Sequence, residues 1–351
     1  MGRGKKPVIT IDCETDPFKR GRVPQPFMWG CYCGERYRRF DHVSDLLCYL
    51  VTQKAVVYAH NGGKFDYQFL LDYLEPWSEV LIINGRLAKF TIGECEFRDS
   101  WNILPAKLAS FGQKKEIDIA KLEADVRDKH MAEIERYNAQ DCRGLWEAVV
   151  AFRSEYGTGL TLAGSALQYW SKKFKHEIPE TDASFYQEVS PYYYGGRVQC
   201  FHKGPINRAF EVVDINSAYP FAMTHNHPIS TKAEEVIPKQ SDAIVPQSLY
   251  TIEGVCRGAL PWRNEKGALL FPNDRTVRTW HITGWELQAA LDTKRLGPWK
   301  VIRRLDFLKE INFTDYVTHF YNMKASAEKG SKEYVFAKLF MNSLYRCAPA
   351  A

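Results

Sequence analysis

No apolar run in the chain approaches the roughly 20 residues that a membrane-spanning helix needs. The N-terminus is basic at Arg3, Lys5 and Lys6, but the apolar stretch behind it stops at Asp12, which suits neither a signal peptide nor an anchor. Cysteine has no pattern: the count is nine, an odd number, and the close pair Cys31 and Cys33 is spaced too tightly for an ordinary zinc site. A disulfide framework is therefore not expected, and reduced thiols in a cytosolic compartment are. Neither sign of charge dominates. The formal net charge of +5 is compatible with a polyanionic partner without requiring one. The expectation is a soluble intracellular protein whose 351 residues suffice for two domains, each with its own core.

The run Val8-Ile9-Thr10-Ile11 is rich in β-formers and leads into Asp12-Cys13-Glu14. In a strand, residues two apart share a face, so Asp12 and Glu14 converge, and a cation makes that pairing inexpensive. Alternation from Met28 to Phe40 around Gly34-Glu35 predicts a hairpin, the spacing in 43–51 a helix, and Ala55-Val56-Val57-Tyr58-Ala59 a buried strand. A mixed sheet flanked by helices follows. Next come His60-Asn61-Gly62-Gly63-Lys64-Phe65-Asp66 and a helical pattern over 67–74. This reads either as an Asn-Gly turn before a helix or as a metal-binding Asp66, with His60, Asn61 and Phe65 facing a nucleic-acid strand. Residues 131–153 predict an amphipathic helix on which Tyr137 and Asp141, four apart, share a face.

Further along, 161–175 predicts a helix and Tyr193-Tyr194-Gly195-Gly196-Arg197 a turn, with a strand over 198–201. Paired glycines allow close backbone approach to a ligand, though a simple Gly-Gly turn explains them equally. Val212-Val213 runs as a buried strand into Asp214, followed by Ile215-Asn216-Ser217-Ala218-Tyr219-Pro220. A carboxylate there is expensive unless a divalent cation sits on it; the alternative is an Asx-turn at a strand end. Residues 230–310 predict short strands. From Phe313 the pattern is helical, and a further helix carries Lys338-Leu339-Phe340-Met341-Asn342-Ser343-Leu344-Tyr345. Lysines on such helices either hold phosphates or serve solubility.

The order of these motifs resembles family B DNA polymerases of the protein-primed branch, found in phages and linear plasmids. Asp-x-Glu on the first strand, Asn-x-x-x-Phe-Asp after a later strand and Tyr-x-x-x-Asp on a late helix resemble the three exonuclease motifs. The resemblance implies an α/β (α+β) fold: an RNase H-like 3′–5′ exonuclease domain over residues 1–160, a Tyr-x-Gly-Gly linker over 161–200, and a partial polymerase domain over 201–351. Within the last it implies a first half of the palm, a terminal-protein-region insertion near 225–310 and fingers helices over 313–345.

Its implied roles are specific. Asp12, Glu14, Asp66 and Asp141 would hold two Mg²⁺ or Mn²⁺ ions, with Tyr137 orienting the attacking water. Asp99-Ser100-Trp101 resembles a single-strand-binding segment, with Ser100 at the DNA and Trp101 where leucine is usual. Lys114, in Gln113-Lys114-Lys115-Glu116, would reach the scissile phosphate. Tyr193, Gly195 and Gly196 would grip the primer-template. Asp214 and the Ile215 carbonyl would hold the polymerase metals, Ser217 would lie near the triphosphate, and Tyr219 would exclude a 2′-hydroxyl. Lys324 and Lys338 would contact the phosphates of a dNTP, and Asn342 and Tyr345 the nascent base pair.

The match to the fingers motif ends at Tyr345, and Arg346-Cys347-Ala348-Pro349-Ala350-Ala351 looks like a foreign tail. Tyr-x-Asp-Thr-Asp-Ser, which supplies a second catalytic aspartate, is not among these residues. The expectation is a truncated, DNA-binding polymerase chain with an intact exonuclease site, working in the cytoplasm of a host. Its implied partners are a primer-template, a single-stranded 3′ end, a terminal protein and a separately encoded C-terminal half. The alternatives are a stand-alone metal-dependent exonuclease and a non-catalytic DNA- or terminal-protein-binding half of a split enzyme.

Overall fold

The computed structural model describes residues 6–111, 116–176 and 181–347. They form two compact units, Met1–Lys175 with Thr318–Ala351, and His176–Val317.

The first unit is built on a seven-stranded mixed sheet. Its strands are β1 (Val8–Thr15), β2 (Pro26–Tyr32), β3 (Tyr37–Phe40), β4 (Val56–Ala59), β5 (Leu81–Ile83), β6 (Arg86–Ile92) and β7 (Cys95–Asp99), in the order β3-β2-β1-β4-β7-β6-β5. Pairing is parallel for β1–β4 and β4–β7 and antiparallel elsewhere. The expected hairpin is β2–β3, and the expected helix is α1 (Val43–Val51). Ile9, Ile11 and Cys13 of β1 point into the core with Trp29, Leu46, Leu50, Val57, Phe90 and Phe97. By the period of two, Thr10, Asp12 and Glu14 take the opposite face.

That face is covered by α2 (Met131–Tyr156). The helix is tied down where Thr10 Oγ1 donates to the Cys142 carbonyl at 2.7 Å and Trp146 Nε1 to the Val8 carbonyl at 3.1 Å. Gly30 on β2 lets it sit this close: a Cβ there would lie 1.6 Å from Asn138 Oδ1. After α3 (Leu162–Phe174) the chain leaves the unit and returns at Thr318, within the helix Thr314–Ser326, and the helix Lys332–Met341 that follows packs Phe336 and Phe340 on Phe152 and Tyr156.

The segment expected to be α-helical after Asp66 is instead a 3₁₀ helix, Asp66–Tyr73. Tyr67 anchors it, its hydroxyl accepting from the Ala59 N–H at 2.8 Å and donating to the Arg98 carbonyl at 2.7 Å. The hydroxyl thereby satisfies main-chain groups at the end of β4 and in β7.

The second unit has an antiparallel sheet in the order Arg278–Thr283, Leu249–Cys256, Leu296–Phe307, Ala233–Val236. The helix Gly284–Asp292 closes its core of Tyr250, Ile252, Trp280, Ile282 and Leu287, behind a capping box between Thr283 and Glu286. Two expected strands are absent here. Residues 198–201 and 212–214 are irregular, with Val198 96% exposed and Val212 and Val213 at 87% and 86%. The physical reason is that β-propensity expresses itself through a neighbouring strand and a face to bury, and this segment has neither among the described residues. Asp214 is accordingly exposed rather than seated at a buried strand end.

Candidate active site

β1 pairs with β4 only as far as Thr10 and then continues to Thr15 beyond its neighbour. The divergence opens a cleft of ≈ 460 Å³ at the strand ends, a usual place for a ligand site in an α/β sheet. Its lining includes Asp12 and Glu14 from β1, His60, Asn61, Phe65 and Asp66 from the segment after β4, and Tyr137 and Asp141 from α2. The three motifs, far apart in sequence, meet in one place.

Burial of these carboxylates is severe. Glu14, Asp66 and Asp141 are 6%, 3% and 8% exposed. Asp66 makes no ion pair among the described residues. It accepts the Cys13 N–H at 3.0 Å, and its burial raises its pKa from 3.8 to about 6. Asn138, one helix position from Tyr137, donates through Nδ2 to Asp12 Oδ2 at 2.9 Å and Glu14 Oε1 at 3.3 Å. An amide bridging two carboxylates damps their repulsion, and the Tyr37 hydroxyl donating to Asn138 Oδ1 at 3.0 Å fixes its orientation. Nothing in the sequence marked Asn138; the Gly30 requirement that brings it here appears only once α2 is docked.

The turn that presents Asn61 and Asp66 rests on a buried ion pair. Arg86 Nη1 lies 2.7 Å from Asp99 Oδ2 and 2.6 Å from Asn61 Oδ1. The Asp99 side chain is fully buried and also accepts the N–H groups of Gly63 and Trp101 at 3.2 and 2.9 Å. Gly63 is indispensable, since a Cβ would meet the Leu87 carbonyl at 2.2 Å. Asn61 takes left-handed backbone geometry, φ 63°, a conformation asparagine tolerates better than most residues. His60 has both ring nitrogens engaged, at 3.0 Å from Ser100 Oγ and 3.0 Å from the Ala106 carbonyl. Ser100 is wholly buried and also donates to the Ala59 carbonyl, so its place is behind His60 rather than on the cleft wall. Phe65 lies 5.4 Å from Phe18 at the rim. Lys114 lies outside the described residues.

The donor set fits a hard divalent cation, being carboxylate oxygens around an uncompensated buried Asp66. Among the described residues, no three Asp, Glu, His or Cys side chains form a ready metal cage. Magnesium normally keeps several waters and relies on one or two carboxylates with substrate phosphates.

The other sequence-marked residues are not gathered in this way. In the second unit, Tyr193 is 64% exposed and its carbonyl accepts from Arg263 Nη2 at 2.6 Å. Gly195 is exposed, and a Cβ on Gly196 would lie 3.2 Å from the Tyr219 hydroxyl, which brings these two motifs side by side. Ser217 begins the helix Ala218–Met223 with φ 56°, while Ile215 and Tyr219 are 73% and 52% exposed. In the first unit, Lys324 lies 5.9 Å from the Tyr334 ring and Lys338 is exposed. Asn342 donates to the Lys338 carbonyl at 2.7 Å where the helix ends, and Tyr345 is half-buried in the 3₁₀ turn Leu344–Cys347.

Comparison with known proteins agrees with the motif order. The family model for DNA polymerase type B, organellar and viral, matches residues 128–345, which include Tyr137 and Asp141 but not the carboxylates of β1 or Asp66. The chain is 37% identical over 348 residues to the DNA-directed DNA polymerase of Enterobacteria phage PRD1, covering 96% of this chain and 61% of that protein. It is 24% identical over 447 residues to a probable DNA polymerase of Neurospora intermedia, covering 96% and 45%. Phi29 DNA polymerase, solved with primer-template DNA and incoming nucleotide, shares the fold with a TM-score of 0.73 at 18% identity, over 98% of this chain and 68% of that one. The chain thus spans about 61% of the length of the PRD1 polymerase. It belongs to the type B DNA polymerases of the organellar and viral kind, the protein-primed family B group.

Proposed function

We propose that this chain is part of a DNA-directed DNA polymerase and that its first unit carries a 3′–5′ exonuclease. The observation that carries the nuclease reading is the convergence of Asp12, Glu14, Asp66, Tyr137 and Asp141 on one cleft, with Asp66 buried and lacking an ion pair among the described residues. Four carboxylates there would hold two Mg²⁺ or Mn²⁺ ions, which supply an activated water and charge neutralisation at the leaving oxygen. Tyr137 orients the water on the 3′-terminal phosphodiester. Phe65 stacks on a terminal base, Asn61 hydrogen-bonds the strand, and Ser100 holds His60 in register. Lys114 is assigned to the scissile phosphate by resemblance. Water adds to phosphorus, the bond to the preceding 3′-oxygen breaks, that oxygen takes a proton, and a nucleoside 5′-monophosphate departs.

The exonuclease domain is assigned to 1–160, the linker to 161–200 and the partial polymerase domain to 201–351. In the last, Asp214, Ile215, Ser217 and Tyr219 belong to the palm, and Lys324, Lys338, Asn342 and Tyr345 bind the dNTP and nascent pair. Tyr193, Gly195 and Gly196 contact the primer-template. A terminal protein is the further partner, and the host cytoplasm is the site of action. Eight of the nine cysteines, from Cys13 to Cys256, are free thiols, which suits that compartment. These 351 residues contain no second palm aspartate motif, so by themselves they trim DNA without extending it.

The test uses the purified chain, a 5′-labelled single-stranded oligonucleotide and Mg²⁺. Stepwise shortening from the 3′ end, absent in EDTA and in Asp12→Ala and Asp66→Ala, supports the reading. Equal shortening by those variants sinks the assigned site.

A further inference from the structure

The second unit holds a pocket of ≈ 440 Å³ whose chemistry is the opposite of the carboxylate cleft. Arg197, Arg257 and Arg295 line it with Phe201, Phe271 and Asn273, and no Asp or Glu is among its lining residues. None of the three arginines forms an ion pair among the described residues. Arg197 lies over the Phe271 ring at 4.2 Å and the Phe201 ring at 5.6 Å, and its Nε donates to Gln199 Oε1 at 2.9 Å.

Main-chain ties hold the backbone at the other two. The Arg257 N–H donates to the Arg295 carbonyl at 2.9 Å, Arg257 bridges to Asn273, and the Gly258 N–H donates to the Pro272 carbonyl at 2.8 Å. Three separate chain segments are therefore stitched together at the pocket that Arg197, Arg257 and Arg295 line. Solvated arginines scattered over a surface need no such stitching. A concavity with several cations and no carboxylate carries a positive potential that an anion relieves. Guanidinium forks match phosphate geometry, and an exposed phenylalanine beside them offers a stacking face for a base. An acidic peptide would use the charge but not the ring.

We propose that this pocket is a subsite for the phosphate backbone of a single-stranded nucleic acid, with Arg257 and Arg295 on phosphates and Phe201 stacked on a base. The proposal rests on the reading that the chain works on DNA.

The test is fluorescence anisotropy of a labelled single-stranded oligonucleotide with the full chain in EDTA, which prevents cutting, over a range of salt. The double variant Arg257→Ala/Arg295→Ala is expected to reduce the slope of log K against log salt by about 1.4, roughly 0.7 per lost phosphate contact. At 0.1 M salt that is about 25-fold weaker binding. Arg257→Lys/Arg295→Lys keeps most of the slope, and Phe201→Ala weakens binding about tenfold without changing it. If the alanine double variant melts early, Arg257→Gln/Arg295→Gln is read instead, with the same slope loss expected. An unchanged slope in the folded double variant overturns the subsite, while unchanged nuclease activity in that protein shows that the DNA reading survives. Displacement of the oligonucleotide by dATP or polyglutamate as effectively as by unlabelled oligonucleotide overturns the assignment to a strand. Wild-type protein that binds no oligonucleotide overturns both readings together.

Discussion

Replacing Asp66 by asparagine should stabilise the protein while destroying its proposed nuclease activity. Asp66 is 3% exposed, and burial has moved its pKa from 3.8 to about 6. An acid raised on folding contributes stability that is fully present below its unfolded value and lost as pH rises through its folded value. At pH 7.5 the ionised side chain therefore destabilises the fold by about 3 kcal/mol, from roughly 2.2 pKa units at 1.36 kcal/mol each. Asparagine retains an oxygen for the Cys13 N–H and cannot ionise, leaving a net gain of about 1–3 kcal/mol after the desolvation of its amide. Urea unfolding in EDTA, followed by tryptophan fluorescence, should show Asp66→Asn ahead of wild type at pH 7.5. The gap should close as pH falls through 6 towards 4. Magnesium should raise the wild-type melting temperature at pH 7.5 and much less at pH 5, because it binds the ionised form. A variant less stable than wild type at pH 7.5, or a gap that ignores pH, would refute the account of a strained carboxylate awaiting a cation.

Three other perturbations follow from the same geometry. Gly30→Ala places a methyl against Asn138 and should cost about 1–3 kcal/mol in chemical denaturation, with loss of nuclease activity as Asn138 is pushed off Asp12 and Glu14. Arg86→Ala leaves the buried Asp99 carboxylate without its cation and should cost about 3–5 kcal/mol, whereas Arg86→Lys should recover part of that stability; thermal melts decide. Tyr137→Phe should lower kcat for 3′-terminal hydrolysis by up to about 10² with little change in KM; a change in KM alone would place Tyr137 in strand binding.

Where local periodicity and burial agree, the sequence was readable. Alternation along β1 puts Asp12 and Glu14 on the α2 face, and Asn138 spans them. The four-residue step from Tyr137 to Asp141 puts both on the cleft wall. What was not readable depends on partners remote in sequence. The Arg86–Asp99 pair carries the Asn61 turn, yet Arg86 belongs to no motif and Asp99 was read only as part of a single-strand-binding segment, so the pair's role emerges only when β6, β7 and the segment after β4 meet. The 3₁₀ geometry after Asp66 is set by where Tyr67 must reach, which no local pattern encodes. Val212 and Val213 show the converse: strong β-formers, read as a strand, remain irregular because, among the described residues, no neighbouring strand stands beside them.

The most direct test of the two-metal nuclease site is a crystal of the chain soaked with Mn²⁺ and a nucleoside 5′-monophosphate, the proposed product. The account predicts two anomalous peaks about 3.5–4 Å apart among Asp12, Glu14, Asp66 and Asp141, with the phosphate between them and Tyr137 facing it. Manganese bound elsewhere, or a phosphate in the cleft without metal, would contradict it.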